Sequence, residues 1–367
     1  MTYLLQILIL PALFVSATAL DCTPIPQSDQ VAGKQLKIPN GATMPVVIPA
    51  NFNCTYTISP PAMVYAKIQV ENKLKGLNDV IIVRDDFGVS TVINSRSNFI
   101  SSFTAFPNTT ATVQVTTKSV QMNSMFLLNI AFEKMATPIS KPLEVRTSIM
   151  NYRILNDTQI DLEGRQLITY QANDKITVTI GQSIYRNDIF DNFYVVDGDF
   201  YSPTSIRRLS DFDQCSSQCY RSQTNQVTIV GLDEFTDESS VFLMTTPESE
   251  VYQEVVGITL YDSDNYWDIT NRTVNFDANG IDTAYMILSK DSDGIVILSF
   301  SFTEAPPKMS AVAVGGPPND VSKVFIDFTD SSLTYPIKLD VKYFSIILKN
   351  CSAKFTVSSY YNWKQNQ

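Results

Sequence analysis

A ten-residue stretch that recurs 113 positions later constrains the fold more than any other feature of the chain. Residues 78–87, NDVIIVRDDF, place four consecutive β-branched residues between acidic ones. Branching at Cβ stiffens χ1 and disfavours a helix, so this stretch predicts a buried strand that runs into a tight turn. Residues 191–200, DNFYVVDGDF, align with it without a gap, since Val196 lies 113 positions after Val83. The chain is therefore predicted to contain a duplicated β module.

The N-terminus predicts export from the cell. Residues 1–20 carry no charge and contain the apolar run LLQILIL at 4–10. The run is short for a bilayer span and is followed by Pro11, whereas Ala17-Thr18-Ala19 is typical of a signal-peptide cleavage site. We therefore expect residues 1–19 to be a signal peptide. The mature protein is expected to be secreted and extracellular, without a transmembrane segment.

Charge and composition exclude several functional classes. The chain of 367 residues has a net charge of −10 and contains no histidine. An acidic chain without basic clusters argues against nucleic-acid binding. The lack of histidine excludes Ser-His-Asp and Cys-His catalytic pairs and His-ligated zinc. The carboxylate pairs Asp85-Asp86 and Asp233-Glu234 are expected to be turn residues and not a glycosidase pair. We therefore expect no enzymatic activity, no catalytic residue and no cofactor.

Alternating apolar and polar residues predict an all-β chain of tandem antiparallel β-sandwich modules. The first module spans 20–134 and the second spans 135–262, with a linker-like composition at 136–142. Residues 263–367 repeat the pattern weakly and are expected to form a degenerate third β module.

The second module is longer than the first because of one inserted loop. The pair Thr245-Thr246 follows Thr116-Thr117 by 129 positions, which is 16 more than the step of the opening strands. The insertion lies between Phe212 and Ser240 and contains a Cys-x3-Cys sequence. Loops of this kind carry binding functions more often than strands do, so the insertion is a candidate binding element.

The first module resembles the divergent CUB-like domains of secreted nematode proteins. The resemblance rests on Asp21-Cys22, on Asn53-Cys54-Thr55-Tyr56, on the 78–86 stretch and on Phe126 and Phe132. It implies a jelly-roll fold for the modules, a secreted glycoprotein and no recognised catalytic site. It also implies a part in innate immune responses and, in some members, association with membrane rafts.

Five cysteines imply disulfides and one remaining thiol in a secreted chain. The resemblance implies a structural disulfide between Cys22 and Cys54. Two pairings are open for the others. In the first, Cys215 and Cys219 form a disulfide that closes a local hairpin tip, and we favour it because short loops close at low entropic cost. In the second, one of them pairs with Cys351.

Five N-x-S/T sequons are expected to carry glycans in the secretory pathway. Asn108 and Asn156 lie in predicted loops and are the strongest candidates, followed by Asn271. Asn53 and Asn350 are weaker candidates because a cysteine follows each of them.

The resemblance also raises the question of calcium. Calcium-binding CUB domains use a Glu, an Asp eight positions later and a second Asp before the closing strand. Glu71 and Asp79 match the first two positions, but Lys118 occupies the third, and its ammonium would repel a cation. In the second module the three positions hold Ile184, Asn192 and Pro247. We expect no metal site, and we expect Asp79 to cap a turn or to pair with Lys118.

The sequence therefore predicts a non-enzymatic protein of extracellular recognition or adhesion, and the resemblance implies that it acts in the innate immune response to pathogens. Its partner would be an unidentified extracellular protein or glycan, and peripheral membrane or raft association is open. The polar aromatic stretch at 261–267 is compatible with sugar stacking, although we favour an inter-module linker. The alternative function is a structural component of an extracellular coat or matrix.

Overall fold

The computed structural model describes residues 20, 22–119, 123–155, 167–182, 190, 192–213, 219–232, 239–260, 274–290 and 294–365. These residues are almost entirely strands and connecting turns, and most strand pairs are antiparallel, which confirms the predicted all-β class. The chain divides into two compact units, unit 1 (Met1–Lys134) and unit 2 (Met135–Gln367). None of the described helices is long and apolar enough to cross a membrane.

Unit 1 consists of two antiparallel sheets. Its strands are β1 (Gln35–Ile38), β2 (Val46–Val47), β3 (Asn53–Ile58), β4 (Val64–Lys73), β5 (Val80–Arg84), β6 (Ser90–Ile93), β7 (Ile100–Ala105), β8 (Ala111–Thr116) and β9 (Met125–Lys134). One sheet has the order β1-β9-β4-β7, with β2 also paired to β9, and the other has the order β3-β8-β5-β6. A one-turn 3-10 helix, Gln27–Asp29, precedes β1.

The core of unit 1 follows from alternation along each strand. In β3, Cys54, Tyr56 and Ile58 are buried, and the residues between them are exposed. The predicted strand at the centre of the repeat is β5, in which Ile81 and Val83 are buried. Its other apolar residues are only half-buried, because one face of this sheet packs on the core and the other faces outward.

Unit 2 contains eighteen strands among its described residues. They are β10 (Ile139–Pro142), β11 (Asn151–Ile154), β12 (Leu167–Gln171), β13 (Ile176–Gln182), β14 (Phe193–Asp199), β15 (Ser202–Arg208), β16 (Cys219–Arg221), β17 (Gln226–Gly231), β18 (Ser240–Thr245), β19 (Glu254–Leu260), β20 (Val274–Asp277), β21 (Thr283–Ser289), β22 (Ile295–Glu304), β23 (Ser310–Gly315), β24 (Lys323–Asp327), β25 (Ile337–Leu339), β26 (Tyr343–Lys349) and β27 (Ser352–Ser359). Three short helices accompany them: α1 (Ser210–Asp213), α2 (Thr246–Ser249) and α3 (Tyr360–Gln365).

The strands of unit 2 form three sheets. Their orders are β10-β12-β17-β14-β15, β11-β18-β13-β19-β21-β26-β23-β24 with β16 on β13, and β20-β27-β22-β25. The residues predicted to form a linker contribute β10, an exposed strand at the edge of its sheet. It ends at Pro142, which is compatible with an edge strand because proline has no N–H to donate to a neighbouring strand. Strands β19 and β21 pair in parallel, so residues on both sides of position 262 share one sheet. A module boundary at 262/263 stays a prediction.

Two glycines allow the close approach of β13 and β19. Gly181 lies opposite Gly257 in this short parallel pairing. A Cβ atom at Gly257 would lie 2.5 Å from the carbonyl oxygen of Ile180 and 2.8 Å from a ring carbon of Phe242. We expect Gly257→Ala to lower the free energy of unfolding by about 1–3 kcal/mol, because the two strands must separate.

Chemical denaturation of the full chain measures this loss. Gly315→Ala is the matched control, because a Cβ atom there meets nothing closer than 3.8 Å. The control is expected to change the free energy of unfolding by about 0.5 kcal/mol or less. Equal losses in the two variants would contradict the close approach.

Candidate functional site

A disulfide fastens the N-terminal segment of unit 1 to its core. Cys22 and Cys54 are bonded, with Cα atoms 5.6 Å apart, which confirms the pairing that the resemblance implied. Cys54 is buried on β3, whereas Cys22 is exposed. The bond therefore fixes the segment that precedes β1 against the sandwich.

A buried carboxylate organises the loops at one end of unit 1. Asp79, directly before β5, is 0% exposed. Its Oδ1 accepts hydrogen bonds from the backbone amides of Lys118 and Ser119 at 2.8 and 3.0 Å, and its Oδ2 accepts one from the Ser124 hydroxyl at 2.6 Å. Its own amide donates to the carbonyl of Gly76 at 3.1 Å. One side chain thus joins the loop after β8 to the start of β5.

These contacts set the protonation state of Asp79. Burial raises the pKa of this carboxyl, but the hydrogen bonds from Ser124, Lys118 and Ser119 outweigh burial and leave the pKa below its usual value of 3.8. Asp79 is therefore ionised over the physiological pH range. The predicted capping role is correct, whereas the alternative of a side-chain pair with Lys118 is wrong, because the contact runs through the Lys118 amide.

The same geometry tests whether these residues suit calcium. Both oxygens of Asp79 already accept hydrogen bonds, and the position of the third ligand presents N–H donors to the carboxylate. Glu71 accepts a hydrogen bond from the Asn129 amide at 3.1 Å. A hard cation needs six to eight oxygen ligands, so this donor set does not fit it. No cluster of three or more potential metal ligands occurs within the described part of the chain.

The acidic pair after β5 also stabilises turns. Asp85 accepts hydrogen bonds from the amides of Phe87 and Val89, both at 2.9 Å. Asp86 accepts from the Phe106 amide at 2.8 Å and from the Thr109 hydroxyl at 3.1 Å. Asp85 therefore holds its own turn in place, as expected for a turn residue, whereas Asp86 fastens the same turn to the loop between β7 and β8. The other predicted pair, at 233–234, lies outside the described residues.

Unit 2 contains a second buried carboxylate that the sequence reading missed. Asp197 on β14 is 0% exposed and accepts hydrogen bonds from the Tyr220 hydroxyl at 2.7 Å and the Thr224 hydroxyl at 2.6 Å. Burial raises the pKa of Tyr220 to about 12, with Asp197 adding to the rise and a Ser205 hydrogen bond opposing it. The only sequence signal was an acidic residue inside the apolar run of β14.

The predicted glycosylation sites are only partly described. Asn108 is exposed at a turn with a positive φ of 58°, and Asn53 and Asn350 are also exposed. Asn156 and Asn271 lie outside the described residues. Glycosylation of all five stays a prediction.

Two of the three remaining cysteines lie among the described residues. Cys219 starts β16, but Cys215 lies outside the described residues, so their pairing stays a prediction. Cys351 is buried and forms no disulfide, and its thiol donates toward the Ser310 carbonyl at 3.6 Å. Burial raises the pKa of this thiol, which keeps it protonated and unreactive.

Among the three described sequons, Asn108 is the one at which we expect a glycan to disturb the fold least. Its side chain is exposed, whereas the Asn53 side chain accepts hydrogen bonds from Gln114 and Thr116 on β8. We expect glycopeptide mass spectrometry of the protein, expressed through a eukaryotic secretory pathway, to find Asn108 modified, and Thr110→Ala to abolish that modification. A glycan on Asn53 with an unmodified Asn108 would contradict this assignment.

A cleft of about 670 Å³ lies beside β1 in unit 1 and is named here the β1 cleft. Its lining comes from residues 23–26 and Asp29, from residues 35–40, and from Tyr56 on β3. Ile25, Leu36 and Ile38 line it and pack against the core. Asp29 and Lys37 contribute opposite charges to the lining. Sequence analysis did not predict this site, because its proline-rich segments indicate only turns.

Comparison with known proteins identifies the domain type. Residues 17–136 match the CUB-like domain family, so the chain contains a CUB-like domain in this region. No curated protein sequence matches the chain.

The chain is similar at low identity to several solved structures. The CUB1-EGF-CUB2 domain of human MASP-1/3 is 10% identical, covers 89% of this chain and 98% of its own, and has a TM-score of 0.23. The CUB1-EGF-CUB2 domains of rat MASP-1 are 9% identical with coverages of 89% and 96% and a TM-score of 0.21. The full extracellular region of zebrafish Gpr126/Adgrg6 is 10% identical with coverages of 90% and 52% and a TM-score of 0.23.

Proposed function

We propose that this protein is a secreted, glycosylated and non-enzymatic recognition or adhesion protein that acts outside the cell in the innate immune response to pathogens. The observation that carries the proposal is a CUB-like domain closed by the Cys22–Cys54 disulfide. Disulfides persist in oxidising compartments, which agrees with the signal peptide expected at 1–19. An association with the outer surface of membranes or with rafts belongs to the same proposal.

The proposed lack of catalysis is supported by the roles of the acidic side chains. The carboxylates of Asp79, Asp86 and Asp197 accept hydrogen bonds from amides and hydroxyls of neighbouring loops. A glycosidase needs two carboxylates that flank a substrate bond in one cleft. The β1 cleft is lined by one carboxylate, Asp29, so its chemistry favours binding.

Cosedimentation of the purified full-length secreted protein tests this function. Parallel samples contain intact bacteria, intact fungi, host membrane vesicles and insoluble extracellular matrix. We expect saturable binding to at least one microbial or membrane sample. Binding confined to the matrix would instead support a structural role in a coat, and binding to none of the four would contradict recognition of any such surface.

A further inference from the structure

We propose that the β1 cleft binds an extended peptide segment of a partner protein, which adds to the edge of β1 as a further strand. The inference rests on the proposed recognition function and gives it a partner class. The partner is a polypeptide with apolar and polar residues in alternation, and an acidic residue placed beside Lys37.

The first argument is the unpaired backbone edge of β1. Within the described residues β1 pairs only with β9, in antiparallel register. The Phe132 amide donates to the carbonyl of Lys34 at 2.9 Å, so Leu36, two residues further along, also directs its backbone groups to β9. Gln35 and Lys37 therefore direct their N–H and C=O groups to the opposite side.

These outward groups supply the hydrogen bonds that strand addition needs. Among the described residues no other backbone group pairs with Gln35 or Lys37 on that side. Two residues with one donor and one acceptor each provide four hydrogen-bonding groups along the cleft. Affinity in this binding mode comes from the main chain and specificity from pockets for alternate side chains.

The second argument is the lining of the cleft. Ile25, Leu36 and Ile38 are only partly buried and form an apolar surface, and Tyr56 lies with them. Alternate side chains of an added strand point to the same face, so every second ligand residue would cover this surface. A volume of about 670 Å³ is in the usual range for ligand sites.

The third argument is charge complementarity. Lys37 is exposed on β1, and its outward position places it beside the polar face of an added strand. An acidic ligand residue there gains an attractive contact. Asp29 also lines the cleft and disfavours a ligand with further acidic residues. The cleft therefore selects an alternating peptide with one acidic residue over β1.

The test measures binding of a fluorescein-labelled hexapeptide, TVEVTV, to the full-length protein by fluorescence anisotropy. Two variants of the peptide carry N-methyl groups at alternate amides, on positions 2 and 4 or on positions 3 and 5. Strand addition uses only one of these two sets of amides. We therefore expect one methylated peptide to bind about tenfold more weakly than the other, since two hydrogen bonds are lost.

Protein variants locate the site. Lys37→Glu is expected to weaken binding about fivefold by reversing the charge beside the ligand acid. Lys34→Glu is the matched control, because Lys34 is also exposed but does not line the cleft. Its binding should equal that of the wild type. Circular dichroism confirms that both variants fold.

Four outcomes would overturn the proposal. They are the absence of saturable binding up to about 1 mM peptide, equal binding of the two methylated peptides, equal effects of the two lysine variants, and a self-associated dimer that the peptide does not dissociate. The last would assign the edge to a second copy of the chain. Failure of peptide binding with intact cosedimentation overturns only the strand-addition proposal, whereas loss of cosedimentation overturns the recognition role.

Discussion

Asp79→Ala is expected to lower the free energy of unfolding of unit 1 by about 3–5 kcal/mol. The substitution leaves the amides of Lys118 and Ser119 and the hydroxyl of Ser124 without their acceptor in a buried site. Each unsatisfied buried donor costs about 1–3 kcal/mol, and part of the loss is recovered when the loop opens to water. Denaturant unfolding of the full-length protein measures the effect. Hydrogen exchange of the amides of β5 and β8 monitors the unfolding and assigns the loss to unit 1.

Lys118→Ala is the control for this prediction. The Lys118 contact with Asp79 uses the backbone amide, which alanine retains. We therefore expect a change of about 0.5 kcal/mol or less. A loss of less than about 1 kcal/mol in Asp79→Ala, or an equal loss in Lys118→Ala, would show that the carboxylate does not organise these loops.

The pH dependence of stability follows from the lowered pKa of Asp79. Because the folded pKa lies below the unfolded value of 3.8, the carboxylate contributes its full stabilisation above that value. The contribution is lost as the pH falls through the folded pKa. The stability difference between wild type and Asp79→Ala should therefore be constant at neutral pH and shrink below about pH 4. A difference that grows on acidification would contradict the assignment.

Removal of the disulfide with Cys22→Ala is expected to cost about 3–4 kcal/mol of unit 1 stability. The bond spans a sequence separation of 32 residues, and a crosslink over such a loop restricts the unfolded chain by about that free energy. Cys22 is exposed, so alanine at this position removes few packing contacts. Hydrogen exchange of β3 and β8 under native conditions reports the loss in unit 1.

Reductant provides the control for the disulfide. It should lower the stability of unit 1 in the wild type toward that of Cys22→Ala and leave the variant unchanged. Equal exchange rates in β3 for oxidised wild type and variant would show that the bond does not stabilise the sandwich.

Local patterns predicted most strands because their causes lie within short stretches of sequence. The inserted loop predicted between Phe212 and Ser240 was wrong in part, because β16 and β17 lie within it. Four β-branched residues in succession are enough to predict β5, and the alternation of 54–58 is enough to predict β3. The Cys22–Cys54 bond followed from the resemblance of the first module. The turn at Asp85 followed from ordinary turn chemistry, whereas the contact of Asp86 with Phe106 did not.

The sites could be predicted only in part because their partners are distant in sequence. Ser124 meets Asp79 across 45 positions, and Thr224 meets Asp197 across 27. No periodicity within a strand reveals such pairs. The parallel approach of Gly181 and Gly257 is likewise a tertiary feature. The proposed binding edge of the β1 cleft exists because β1 pairs with β9 alone among the described strands. Only the order of strands in the sheet shows this.

The resemblance to calcium-binding CUB domains extends to Glu71 and Asp79 and ends at the loop after β8. That loop turns amides toward the carboxylate where a metal site would need oxygen atoms. At the position where the resemblance would imply an ion, the protein thus uses internal hydrogen bonds. Recognition through unit 1 should therefore not require calcium.

Surface binding with and without calcium tests this account most directly. The measurement is cosedimentation of the full-length protein with intact microbial cells and host membrane vesicles, in buffer containing either millimolar calcium or excess EDTA. We predict saturable binding with the same apparent affinity in both buffers. Binding that requires calcium, or no saturable binding in either buffer, would contradict the account.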